Sequence, residues 1–309
     1  MPQRSLLIAD DIENRTDAGK RRSRAIRNTA AFLAQRLKTG INLLYVEDIR
    51  TYPAGRRGTV EFPEWHAQHE QMLEEACRQF IVPVVSSFRS GSPAEEILKM
   101  LRSRLSPELV VVGTQGRTGV RRLLIGSVAE EVIRHARRPV MVVGPLAQER
   151  EAKFSGQKQV NILVPSDLGK NSRAAELYAL SYARRLGAGV TLFHCLWDTI
   201  NTVIVNSAYS GMAPFDLDAL FEESRADAVA IMERKAGYFQ KRGVPCRYKI
   251  EEKAVTSPCA VHQEAESGYA FIVMGTHGRN ALLNAFFGST ARETILNAPV
   301  PVITVHSGR

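Results

Sequence analysis

Apolar runs of four to six residues alternate along the chain with longer stretches whose apolar positions recur every third or fourth residue. Leu6-Leu7-Ile8-Ala9, Asn42-Leu43-Leu44-Tyr45-Val46, Leu109-Val110-Val111-Val112 and Pro139-Val140-Met141-Val142-Val143 are nearly continuous. Such β-branched runs predict strands buried on both faces, as in a parallel sheet covered by helices. Within residues 18–38, Ile26, Ala30, Leu33 and Leu37 share one helical face, with several arginines opposite. The second half repeats the order with Ile162-Leu163-Val164, Val190 to Cys195, Phe271-Ile272-Val273-Met274 and Pro301 to Val305. There Leu217, Leu220, Phe221, Ala228 and Ile231 predict a long helix before Gly243. The period, about 150 residues, far exceeds that of a solenoid, so the pattern predicts a duplicated domain. Right-handed crossovers make each half a doubly wound, Rossmann-like α/β domain. The domains are expected at residues 1–147 and 158–309, with a linker at 148–157 in the polar stretch that follows Gly144-Pro145.

A glycine loop follows one strand in each half: GTQGRTGVRRLLIGS from Gly113 to Ser127, and GTHGRNALLNAFFGS from Gly275 to Ser289. Gly113, Gly116, Gly126 and Ser127 have the same spacing as Gly275, Gly278, Gly288 and Ser289. Glycine at the carboxyl end of a buried strand lets a ligand approach the backbone closely. A second glycine can turn successive N–H groups towards one anion. The closing Gly-Ser opens a helix whose unpaired N–H groups suit phosphate. A structural turn uses the same letters, since Ser127 with Glu130, and Thr290 with Glu293, spell capping boxes. Identical spacing in two copies favours the phosphate reading. Neither loop is a Walker A motif or a dinucleotide G-x-G-x-x-G fingerprint. Ser92-Pro93 and Ser257-Pro258 predict two further helix starts, each with Ser as N-cap and Pro first.

The 309 residues are 44% hydrophobic and 24% charged, the balance of a soluble globular protein. No apolar run is long enough to span a membrane. The four apolar residues before Asp10-Asp11 are too few for a signal peptide, so a cytoplasmic location is expected. Cys77, Cys195, Cys246 and Cys259 are scattered, suggesting neither a zinc site nor a disulfide framework. The net charge of +9 is concentrated in residues 1–150, with 24 Lys and Arg against 17 Asp and Glu. Without aromatic interleaving this reads as a solvated basic surface rather than a nucleic-acid interface.

The G-x2-G-x9-G-Ser spacing after a Val-Val-Gly-Thr strand end, with Ser92-Pro93-Ala94-Glu95-Glu96-Ile97, resembles the universal stress proteins. The likeness is to their tandem, ATP-binding form and covers nearly all of residues 3–146 and 158–307. It implies a five-stranded parallel sheet in each domain and ATP, AMP or ADP across the strand ends, with Mg2+ an optional companion near Asp11 or Asp167. It also implies pairing of the two domains within the chain, and leaves room for a homodimer and an unidentified protein partner. By this resemblance Gly113, Gly116, Gly126 and Ser127, with Gly275, Gly278, Gly288 and Ser289, would hold phosphates, beside Thr114 and Thr276. Arg117 and Arg279 could reach phosphate, Asp11 and Asp167 would lie near ribose or adenine, and Val46 and Cys195 would offer backbone to adenine. The family usually has Gly-Ser after the first-strand Asp; here Ile12-Glu13-Asn14 and Leu168-Gly169-Lys170 stand there. Copy one keeps Arg121 and Arg122 where copy two has Leu283 and Asn284. No general base or metal-binding carboxylate pair stands out, so regulatory binding with little or no hydrolysis is expected. A slow ATPase and a nucleotide-free stress scaffold are the alternatives.

Other residues carry less. His66-x-x-His69 beside Glu70 reads as a surface helix face rather than a metal pair. His277 reads as a polar loop residue, Trp65 and Trp197 as packing residues, and Cys246 as a strand residue without a redox role.

Overall fold

Each of the quoted apolar runs becomes a strand in the computed structural model, which describes residues 4–13, 16–48, 62–103, 107–114, 125–150, 159–210, 216–253, 255–276 and 288–306. The chain divides into two units, Met1–Gly156 and Gln157–Arg309. The first runs β1 (Ser5–Ala9), α1 (Asp17–Leu37), β2 (Gly40–Asp48), α2 (Phe62–Cys77), β3 (Val84–Gly91), α3 (Pro93–Arg102), β4 (Leu109–Gly113), α4 (Ser127–His135), β5 (Val140–Val143) and α5 (Pro145–Glu149). Its strands are parallel, in the order β3-β2-β1-β4-β5. Leu6, Leu7, Ile8, Leu109, Val110 and Val111 are wholly buried, as central strands covered on both faces require.

The second unit runs β6 (Asn161–Pro165), α6 (Lys170–Leu186), β7 (Gly189–Cys195), α7 (Leu196–Ser210), α8 (Leu217–Gln240), β8 (Cys246–Glu251), α9 (Ser257–Ala265), β9 (Phe271–Gly275), α10 (Ser289–Asn297) and β10 (Val302–Val305). Its strand order, β8-β7-β6-β9-β10, repeats the first. The first helices end alike: Lys38 and Gly187 are left-handed caps, at φ 51° and 62°. Thr39 and Ala188 then donate their N–H groups to Ala34 and Ala183 before the second strands begin.

Three local features depart from the sequence reading. The helix α7 follows β7 with no intervening loop, and no periodic signal announces it. The N-cap position of α9 is Thr256, which places Ser257 first and Pro258 within the first turn, whereas Ser92 does stand at the N-cap position of α3, though its side chain makes no cap hydrogen bond. Ordered structure in α5 extends to Glu149, two residues into the stretch read as linker, because Ala147 and Gln148 are buried and the Gln148 amide donates to the Val143 carbonyl at 2.8 Å.

Candidate functional site

The strand order reverses direction between β1 and β4, and between β6 and β9. Open α/β sheets take ligands at such a switch point, outside the carboxyl ends of the strands. Two segments flank the crevice in each unit: the first loop, after β1 or β6, and Gly113-Thr114 or Gly275-Thr276, after β4 or β9. Gly116, Arg117, Gly278 and Arg279 lie outside the described residues, as do Arg121, Arg122, His277, Leu283 and Asn284.

The return from each glycine loop is built the same way twice. The Gly126 N–H donates to the Thr114 carbonyl at 2.5 Å, and the Gly288 N–H to the Thr276 carbonyl at 2.9 Å. Both glycines are helix N-caps, at φ −61°, ψ 148° and φ −64°, ψ 140°, and no side chain caps either helix. The capping boxes read from Ser127–Glu130 and Thr290–Glu293 are therefore not formed. The chain turns into the helix at the glycine, which places Ser127 and Ser289 in the first helical position, exposed, and Glu130 instead pairs with Arg134 at 3.2 Å. A glycine cap leaves the first-turn N–H groups without an internal acceptor. With the helix dipole behind them they suit an anion. A nucleotide's phosphates fit this donor set in both units.

The threonines differ. The Thr114 hydroxyl is buried without a hydrogen-bond partner among the described residues, whereas that of Thr276 lies 3.3 Å from His306 Nδ1.

The first loops differ more. Ile8 pairs with Val111 and Ser5 with Gly40, and in the second unit Asn161 pairs with Gly189. This register matches Asp10 to Ser166 and Asp11 to Asp167. Asp10 is buried, accepting from the Ser23 hydroxyl at 2.7 Å and from Arg27 at 2.8 Å. Ser166 instead donates to Glu176 at 2.6 Å, and Lys235 balances that carboxylate. One unit thus buries an acid on the loop and a base on the helix; the other buries the acid on the helix. Asp11 faces Arg22 at 3.9 Å. Asp167 accepts the Gly169 N–H at 2.9 Å and the Ser172 hydroxyl at 2.5 Å, while its second oxygen is buried with no hydrogen-bond partner among the described residues.

Val46 is half-buried near the end of β2, which continues to Asp48, whereas Cys195 ends β7 and α7 begins at the next residue. The Cys195 thiol is buried, donates to the Val255 carbonyl at 3.2 Å, and is pushed up in pKa chiefly by that burial. Beyond it, Leu196, Ile200 and Ala228 form a small core against which Leu168, Trp197 and Ile250 pack. This confirms the packing role read for Trp197. His69 is not on a surface face: it is buried, bonded to Glu13 of the first loop, and stacked on Tyr45 with centroids 5.5 Å apart. Among the described residues no group of three or more His, Cys, Asp or Glu could hold a metal.

The sequence model of the universal stress protein family matches residues 16–144 and again residues 160–306. The chain belongs to that family. Universal stress protein Mb2028c of Mycobacterium bovis is 26% identical over 267 residues, 83% of each protein. Universal stress protein Rv2005c of Mycobacterium tuberculosis has the same identity and coverage. The crystal structure of a universal stress protein from Archaeoglobus fulgidus aligns with a TM-score of 0.60 at 18% identity, covering 98% of this chain and 96% of that one. That likeness establishes the Rossmann-like fold, and membership of the universal stress protein family carries a role in the stress response. Among the described residues no helix is long and apolar enough to cross a membrane.

Site residues that sequence reasoning missed are Arg22, His69 and Ser172. All three act through tertiary contacts, and only Ser172 had a legible signal, as a hydroxyl just after a first-strand Asp and its glycine.

Proposed function

We propose that this universal stress protein binds an adenine nucleotide as a regulatory module, with little or no hydrolysis. The observation that carries the reading is the duplicated glycine cap, in which Gly126 and Gly288 close identical spans and open α4 and α10 without a side-chain cap. An ordinary helix start gains about 1 kcal/mol from a Ser, Thr, Asp or Asn cap relative to alanine. Two glycines there suit a site where an external anion takes that place. The acids of the first unit's first loop support binding over turnover, because Asp10, Asp11 and Glu13 are engaged by Arg27, Arg22 and His69. Asp167, just past the end of its first strand, is the candidate carboxylate in its unit for any Mg2+ that accompanies the phosphates.

Substitution at the caps tests this. Gly126→Asp and Gly288→Asp supply the missing side-chain acceptor and should each raise stability by a few tenths of a kcal/mol (~0.3) in thermal unfolding. The added carboxylate should at the same time abolish ATP binding in whichever unit holds the nucleotide, measured by isothermal titration. Unchanged ATP binding in the double variant would reject the reading. Steady phosphate release by the wild type that disappears in the double variant would favour a slow ATPase instead.

A further inference from the structure

We infer that the first unit's crevice is closed by the chain's own Arg22, so that the protein takes up one nucleotide, in the second unit. The inference rests on the nucleotide reading above and assigns the site its occupancy.

Arg22 sits on the sheet-facing side of α1 with its side chain 5% exposed. Its stem lies across the end of β4 so closely that a Cβ on Gly113 would be 2.7 Å from its Cδ and 2.9 Å from its Cγ. Its guanidinium reaches towards Asp11. One side chain therefore runs from the strand-end glycine to the first-loop acid, the two segments that flank the switch-point crevice. The acid that would receive a ligand hydroxyl already faces an internal cation. The rest of that loop is fastened too, Asp10 by Ser23 and Arg27 and Glu13 by His69.

Among the described residues the second unit has no counterpart of this device. Sixteen residues before the left-handed caps Lys38 and Gly187 stand Arg22 and Asn171. The register is supported by Ser23 and Ser172, which follow them and both bond to the first loop. Asn171 is neutral and too short to bridge the same span. Asp167 keeps a buried oxygen with no hydrogen-bond partner among the described residues, placed to accept a donor such as a ribose hydroxyl. Leu168, the next residue, is held at φ 62° and is only partly buried, and supplies apolar surface beside that oxygen for a purine.

Titration of the full chain with ATP, read as stoichiometry, tests the assignment. The wild type should bind one ATP per chain, Arg22→Ala two, Asn171→Arg none, and the double variant one, with circular dichroism confirming that each is folded. A wild type that binds two, an Arg22→Ala variant that stays at one or falls to none, or an Asn171→Arg variant that still binds one would overturn the inference while leaving nucleotide binding intact. No binding in any of the four would remove both readings.

Discussion

Gly113 has a steric reason to be glycine that is separate from its place in the loop motif. The Arg22 stem and Ile26 Cδ1, the latter 3.0 Å from where a Cβ would stand, leave no room for a methyl group. Gly113→Ala should cost about 1–3 kcal/mol in urea unfolding, as overpacking does. Much of that cost should vanish in the Arg22→Ala background, a coupling that a double-mutant cycle measures directly. Cys246 offers a second test at this scale. Burial pushes its thiol up to about 12. Above roughly pH 9 the unfolded chain releases a proton that the folded chain keeps, so this group lowers stability as pH rises, by up to about 1.4 kcal/mol per pH unit. Cys246→Ala should therefore flatten the alkaline limb of a stability–pH curve while lowering stability at neutral pH through lost packing. The glycine and serine positions were legible because their spacing recurs. Arg22 and His69 were not, since an arginine or a histidine on a helix gives no sign of which neighbour it will lie against until α1 and α2 dock.

The elements differ in legibility for a physical reason. Central strands such as β1 and β4 are covered on both faces and write themselves as unbroken apolar runs. The edge strand β3 has only half-buried and exposed positions from Val84 to Gly91, so no such run marks it. The helix α7 is written in β-branched and polar residues, WDTINTVIVNS, whose intrinsic preference is not helical. It is held by tertiary burial of Leu196 and Ile200 against α8. Ile200→Ala should then cost about 2–4 kcal/mol and reduce helical ellipticity beyond what one substitution explains locally. A loss below about 0.5 kcal/mol would mean that α7 stands on its own.

Across the whole molecule, the duplication was the most legible feature, because two copies that keep their spacing while their surfaces diverge can be aligned without homologues. Divergence between the copies was legible only as letters. The exchange of Asp10 and Arg27 for Ser166 and Glu176 takes on meaning once both are seen as buried networks that hold a first loop. Net charge also acts at this scale. With an excess of nine positive charges, ATP binding should weaken as NaCl rises from about 50 to about 500 mM, and more steeply than AMP binding. Equal salt dependence for the two nucleotides would place the charged phosphates outside the protein's field.

The paired bonds from Gly126 to Thr114 and from Gly288 to Thr276 have a consequence for inheritance. Each ties the residue after the strand to the residue that opens the helix, so the two ends of the enclosed segment meet at a neck, with Ile125 beside it buried in the first unit's core. Such a segment is a cassette that a gene could alter or trade between its two halves without unsettling either sheet. Exchanging residues 115–124 with residues 277–286, which leaves the buried Ile125 in place, should leave the thermal midpoint nearly unchanged, and any ligand preference encoded by the cassette should travel with it.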